Sequence, residues 1–190
     1  MKELQIIDAS KELNLLRYLR KYRPPFEVMG NYRLIDDGER PEATVTLKAG
    51  DQEMHEADIG VGPVDALANV LKKSLGRLFP FLKEVRLVDF QVNLIQGTIG
   101  TAAQVSVIIV FSDGHSAWKV FSSDDNINLA AFRALLDGYE YAIHRRDVEE
   151  QSAGPAAGPK AKPGAKAGTK KKSGTKAKAK TKSKAKKSNK

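Results

Sequence analysis

Gly60-Val61-Gly62-Pro63-Val64-Asp65-Ala66-Leu67 is the stretch from which the fold of this chain is read. Two glycines let the backbone pass close to a neighbour or a ligand, and Pro63 suits the first turn of a helix, where its missing N–H is not needed. Apolar residues then fall at Val64, Leu67, Ala68, Leu71, Leu75 and Leu78, the spacing of one helical face. This predicts a helix over 63–78. The unpaired N–H groups at such a start suit a carboxylate or phosphate. The same residues also read as a tight strand-to-helix turn with no ligand.

Upstream of the turn the period changes from helix to strand. Thr44 and Thr46 alternate with Val45 and Leu47, the turn Ala49-Gly50-Asp51 follows, and 53–59 returns the chain to Gly60. A strand-like run from Phe26 to Ile35, closed by Asp36-Asp37-Gly38, precedes them. Before it, Leu13, Leu16, Leu19 and Tyr22 mark a short helix over 9–23, with Ser10 as its expected N-cap and Pro24-Pro25 as its stop.

Downstream the same order recurs. A strand is expected over 85–95, a turn over Gly97 to Gly100, and a central β-branched strand over 103–111. The hairpin turn Ser112-Asp113-Gly114 leads to a returning strand over 117–121. Asp124 or Asp125 is the expected cap of a second helix marked by Ile127, Ala130, Ala131, Ala134, Leu135 and Gly138. Strand-strand-strand-helix, twice, is a pseudo-repeat of about 60 residues read from element order. It implies an α+β fold of two βββα units packed together, plus the short N-terminal helix and a C-terminal tail. Neither unit buries much alone, so the two should pack on each other or across a dimer.

Composition splits the chain. Residues 151–190 hold fourteen lysines, no acids and no aromatics. Removing those fourteen from the thirty-two basic residues leaves eighteen against twenty-three acids over 1–150, a net of −5. The headline charge of +9 therefore belongs to the tail, whose composition cannot bury enough apolar surface to offset ordering, and which is expected to be disordered. It reads either as a solubilising extension or as a salt-sensitive contact to nucleic acid or another polyanion; an acidic partner protein is a third reading. About 150 residues suffice for one domain with a core and are too few for a TIM barrel. Cysteine is absent, which excludes disulfides, thiolate metal sites and thiol nucleophiles. No apolar run approaches a membrane span and no signal peptide is read at Met1, so the expectation is a cytoplasmic protein with no membrane partner.

With these elements in place, residues 12–146 resemble the C-terminal regulatory (LeuA dimerisation) domain of the 2-isopropylmalate synthase and citramalate synthase family. The strings that carry the resemblance are GVGPVDAL at 60–67, LKEVRLVDFQVNL at 82–94, GTIGTAAQVSVII at 97–109, SDGHSAW at 112–118 and NINLAAFRAL at 126–135. The second and third look closest to the citramalate synthase branch. The resemblance divides the chain into an N-terminal helix and connecting strand over 1–40, the regulatory domain over 41–148 and the tail over 149–190. It implies a homodimer that binds a branched-chain amino acid as allosteric effector, isoleucine in the citramalate branch and leucine in the other. Carried over by motif position, the effector-binding residues are Gly60, Gly62, Val64 and Asp65, then Gly100, Thr101, Ala102 and Ala103, then Asn126 and Ile127. An α-carboxylate would sit on the helix start after Gly62, Asp65 or Asp125 would receive the ammonium, and Val64, Ile99 and Ile127 would line an aliphatic pocket.

Two departures stand beside the resemblance. The family has Asn where this chain has Val61, and the glycines that follow its Trp are replaced here by Lys119-Val120-Phe121-Ser122-Ser123. The synthases also carry their chemistry on a barrel with an Arg-Asp pair and an H-x-H metal motif. This chain has only His55, His115 and His144, with no pair at ligand spacing, and neither a G-x-S-x-G nor a P-loop motif. No catalytic residue, metal or cofactor is therefore expected. The expectation is a stand-alone regulatory domain that serves a separate synthase, or a piece of a whole synthase. The competing reading, from another class, is a small interaction protein that binds nucleic acid or another polyanion through its lysine-rich tail and has a degenerate effector pocket.

Overall fold

Alternation of Ala43, Val45 and Leu47 with Glu42, Thr44 and Thr46 gives one strand a buried and an exposed face, and a sheet grows on each side of it. The computed structural model describes residues 5–19, 22–95 and 103–152. In it β4 (Glu42–Ala49) is the middle of the first sheet. β5 (Gln52–Ile59) pairs antiparallel along one side. Along the other lie β2 (Glu27–Val28), opposite 47–48, and β3 (Arg33–Ile35), opposite 42–44. The single run expected over 26–35 is thus two short pieces. Gly30 breaks it by taking a φ of +78°, a conformation open to glycine, although Met29 still donates its N–H to the Thr46 carbonyl at 2.8 Å.

The second sheet has the order β1-β8-β7-β6. β6 (Arg86–Leu94), β7 (Val105–Ser112) and β8 (Ala117–Asp124) are antiparallel neighbours. β1 (Ile6–Asp8) adds a parallel edge strand that the sequence reading missed; three residues are too few for alternation to register. The expected pair of three-stranded sheets is corrected to two sheets of four strands, this one through β1 and the first through the division of 26–35 into β2 and β3.

Helix α1 (Ala9–Tyr18) is shorter than the expected 9–23, because Leu19 is already extended at φ −76°, ψ 121°. Its N-cap is also corrected. Asp8 caps the helix, accepting from the Lys11 N–H, while the Ser10 hydroxyl is used elsewhere, accepting the Phe121 N–H at 2.7 Å. Helix α2 (Pro63–Leu78) packs on β4 and β5 and buries Leu67, Val70, Leu71 and Leu75. Helix α3 (Ile127–Ser152) packs on β7 and β8 and also meets α2. It runs on through residues 149–152, which the sequence reading placed in the tail. Its buried residues surround it rather than forming one stripe, as befits a helix held between neighbours.

Arg17 ties α1 to α3. Its Nη2 donates to Asp137 Oδ1 at 2.6 Å and to Glu140 Oε2 at 2.7 Å, and the Tyr22 hydroxyl donates to Glu140 Oε1 at 2.8 Å. Burial and the Glu140 carboxylate together raise the Tyr22 pKa. Burial also raises Asp137, with Arg17 acting in opposition. A second tie runs from the Tyr141 hydroxyl to Glu12; burial and that carboxylate push Tyr141 up to about 12.

The β7–β8 turn depends on Asp113, whose Oδ1 accepts the N–H groups of His115 at 2.9 Å and Ser116 at 2.8 Å. Burial alone would raise this carboxyl. The two N–H donors and Arg145 outweigh it and hold Asp113 below its ordinary 3.8. A depressed carboxyl stabilises the folded chain above its unfolded pKa and loses that contribution as pH falls through the folded value. Asp113→Ala is therefore expected to cost about 1 kcal/mol at pH 7. Urea unfolding of the variant and parent chains should show the gap narrowing as pH drops below about 3.8.

Candidate functional site

The glycine turn between β5 and α2 is built by its own backbone. Gly60 is buried and donates its N–H to the Pro41 carbonyl at 2.9 Å. A Cβ on Gly60 would overlap the backbone of Asp65 and Ala66, so glycine is required here by the first turn of α2. Gly62 differs. It is the N-cap of α2, extended at φ −149°, ψ 171°, with open space where a side chain would project. Asp65 folds back over the turn, and its Oδ2 accepts the Val61 N–H at 2.9 Å. Asn69 braces both ends, donating to the Ile59 carbonyl and to Asp65. Pro63 has no N–H to offer, so Val64 and Asp65 carry the first-turn N–H groups with no intrahelical partner.

From this turn a groove of about 460 Å³ opens between α2 and β6. Val64, Ala68, Leu87, Phe90 and Tyr139 supply its apolar walls, and Asp65, Lys72 and Arg86 its charges. Lys72 donates Nζ to the Val85 carbonyl at 2.8 Å, and burial followed by the nearby Arg86 lowers its pKa. Lys72 was legible in principle, because it lies seven residues beyond Asp65 on the same helix face. Leu87 and Phe90 were not, since nothing local in the sequence says which strand faces α2.

Asn126 lines a different cavity. It is the cap of α3, accepting the N–H groups of Asn128 and Leu129, which corrects the expected Asp124 or Asp125. Asp124 serves one step earlier, accepting the Asn126 N–H at 3.1 Å and pairing with Arg133. The Asn126 cavity, about 690 Å³, lies between the β2–β3 segment and α3, with Tyr32, Leu34 and Phe132 among its walls. It shares no lining residue with the α2 groove. Ile127 begins α3 exposed, and Ala103 is half-buried ahead of β7. Gly100, Thr101, Ala102 and Ile99, the 97–100 turn, and the tail from 153 onward lie outside the described residues. Among the described residues no group of His, Asp and Glu is arranged to hold a metal ion, and no helix is long and apolar enough to cross a membrane.

Two sheets covered by helices, a braced helix start and a mixed apolar and charged groove define an α+β module suited to binding and assembly. The description of one family model, LeuA allosteric (dimerisation) domain, matches residues 14–143. The (R)-citramalate synthase of Geobacter sulfurreducens is 39% identical over 151 residues, 76% of this chain and 28% of that protein. That of Aquifex aeolicus is 34% identical, covering 75% of this chain and 28% of its own length. The 2-isopropylmalate synthase of Methanocaldococcus jannaschii is 28% identical over 56% of this chain and 19% of its own length. The chain belongs to the LeuA allosteric (dimerisation) domain family, the regulatory part of citramalate and 2-isopropylmalate synthases. It spans about 28% of the length of the two citramalate synthases.

Proposed function

We propose that the chain is the amino-acid-sensing dimerisation module of a citramalate-type synthase, and that isoleucine or leucine binds at the start of α2. The observation that carries this reading is the meeting of Val64 and Asp65 with the apolar wall of Leu87, Phe90 and Tyr139 in one groove. An α-carboxylate would take the first-turn N–H groups of α2, where the helix dipole favours it. The ammonium would meet Asp65, and the aliphatic side chain would pack between Val64, Ala68 and Phe90. The chain holds none of the synthase's carbon–carbon bond chemistry in this reading; it passes the bound state of the groove to a synthase barrel, whether on a separate chain or on the same one.

The test is calorimetric titration of the full chain with isoleucine, leucine and valine, with glutamate as control. Saturable binding of one aliphatic amino acid, and none of glutamate, supports the reading. Gly62→Asp sharpens it. An N-cap aspartate occupies the first-turn N–H groups with its own carboxylate, so affinity is expected to fall at least tenfold while the fold is unchanged or firmer by a few tenths of a kcal/mol. Equal affinity in parent and variant would move the carboxylate away from α2. The lysine tail gives a separate readout: a chain ending at Ser152 keeps α3 whole and should retain amino-acid binding.

A further inference from the structure

We propose that β6 is the contact strand for a second copy of this chain, the two β6 strands running antiparallel edge to edge with Gln91 opposite its own copy. The proposal rests on the dimerisation reading and assigns it a surface. Among the described residues β6 is the edge of its four-stranded sheet, and all nine of its residues are exposed. That exposure is at odds with its composition. Leu87, Phe90 and Val92 sit opposite Phe111, Ile109 and Val107, and so on the face that the helices cover. On β7 those partners are 0–1% exposed; on β6 the same face is 36–39% exposed, and Leu94 beyond them 72%. Among the described residues, Val64, Ala68 and Tyr139 meet this face only along the groove at Leu87 and Phe90, and Val92 and Leu94 lie beyond it.

The other sheet shows how an edge meant for water looks. β5 carries Glu53, Glu56 and Asp58, charges that discourage pairing. Beyond Arg86 at its start, β6 has a single charge, Asp89, and neither Lys nor Pro. Its one irregularity falls between Leu87 and Asp89, which leaves 89–94 regular and open.

A second copy is the occupant that this pattern fits. A two-fold contact requires a patch complementary to itself, and antiparallel pairing of a strand with its own copy satisfies that by symmetry. Centred on Gln91, Phe90 meets Val92 of the other copy on the apolar face and Asp89 meets Asn93 on the polar one, so no like charges oppose each other. Nine residues at about 3.4 Å each span about 30 Å, long enough with the flanking groove for the roughly 800 Å² per partner of a standard interface. The dimerisation-domain match at 14–143 contains the whole strand.

The test uses the full chain, which lacks cysteine. Val92→Lys adds a charge at an exposed position away from the amino-acid groove, so folding should survive. Sedimentation at about 10 µM should read twice the chain mass for the parent and a single chain for the variant. Gln91→Cys should form an interchain disulfide under mild oxidation, and His55→Cys on the β5 edge should not. A V92K chain that remains dimeric, or a Gln91→Cys chain that crosslinks no faster than His55→Cys, overturns the β6 assignment. A parent chain that is itself monomeric overturns the dimerisation reading instead.

Discussion

Gly60→Ala is expected to destabilise the chain by about 3 kcal/mol or more, the upper end for overpacking, because its Cβ would meet backbone rather than a side chain that can turn away. The atoms in its path are the carbonyl carbon of Asp65 and the nitrogen and Cα of Ala66. Ala66 is fully buried, and its N–H donates to the Gly62 carbonyl at 2.9 Å as the first bond of α2. Relief requires unwinding that first turn or breaking the Gly60–Pro41 bond that fixes the end of β5 to the start of β4. Either movement also displaces Val64 and Asp65 from the groove. Urea unfolding should show a marked drop in midpoint, and at the 2–4 °C per kcal/mol usual for a domain of this size melting should fall by roughly 10 °C. Gly62→Asp, two residues on in open space, should leave the midpoint at or slightly above the parent value. An unchanged midpoint for Gly60→Ala would show that the turn has slack the packing does not suggest.

That contrast marks how much of the site was legible in the sequence. Helix α2 was read with its observed bounds, since Pro63 announces its start and the leucine stripe carries a 3.6-residue period through to Leu78. The longer strands, β4 to β8, were found within a few residues because their alternation is local, whereas the short β1 was missed and β2 and β3 were read as one run. The purpose of Gly60 was read only as an alternative, neighbour or ligand, and the neighbour is the helix the glycine introduces. The caps were misread for a simple reason. Asp8 and Ser10, like Asp124, Asp125 and Asn126, are all good cap residues within three positions, and the choice depends on tertiary demand: Phe121 takes the Ser10 hydroxyl and leaves Asp8 for the helix. The separation of Val64 and Asp65 from Asn126 was beyond reach of motif reading. A family pattern gives spacing along the chain, whereas the two cavities are set by which strand each helix covers. The exposure of β6 was equally hidden, for its apolar alternation reads the same whether the covering layer comes from its own chain or from another.

Gly138→Ala carries the second large effect, and here two physical rules give opposite signs. In the interior of a helix, alanine in place of glycine gains up to about 1 kcal/mol from backbone entropy. At Gly138 the new Cβ would fall on the ring of Phe111, which is 1% exposed and stacked on Trp118 with ring centroids 6.1 Å apart. Tyr139 also packs against that ring, with centroids 5.6 Å apart. Trp118 is committed as well, donating its indole N–H to the Gly138 carbonyl at 3.1 Å. The aromatic layer fixes the distance between α3 and its sheet, and glycine is what allows that distance. Packing should win, with a net loss of about 2 kcal/mol after the propensity gain. Gly76 in α2 supplies the control: a Cβ there meets nothing within 4 Å, so Gly76→Ala should stabilise by about 0.5–1 kcal/mol. Trp118 is the chain's only tryptophan, so its fluorescence reports this layer directly. Gly138→Ala should shift the emission to the red as the indole loses its buried partner, and Gly76→Ala should leave it unmoved. A stabilised Gly138→Ala chain with parent-like emission would mean that α3 can lift from the sheet, and that the aromatic layer does not set its seat.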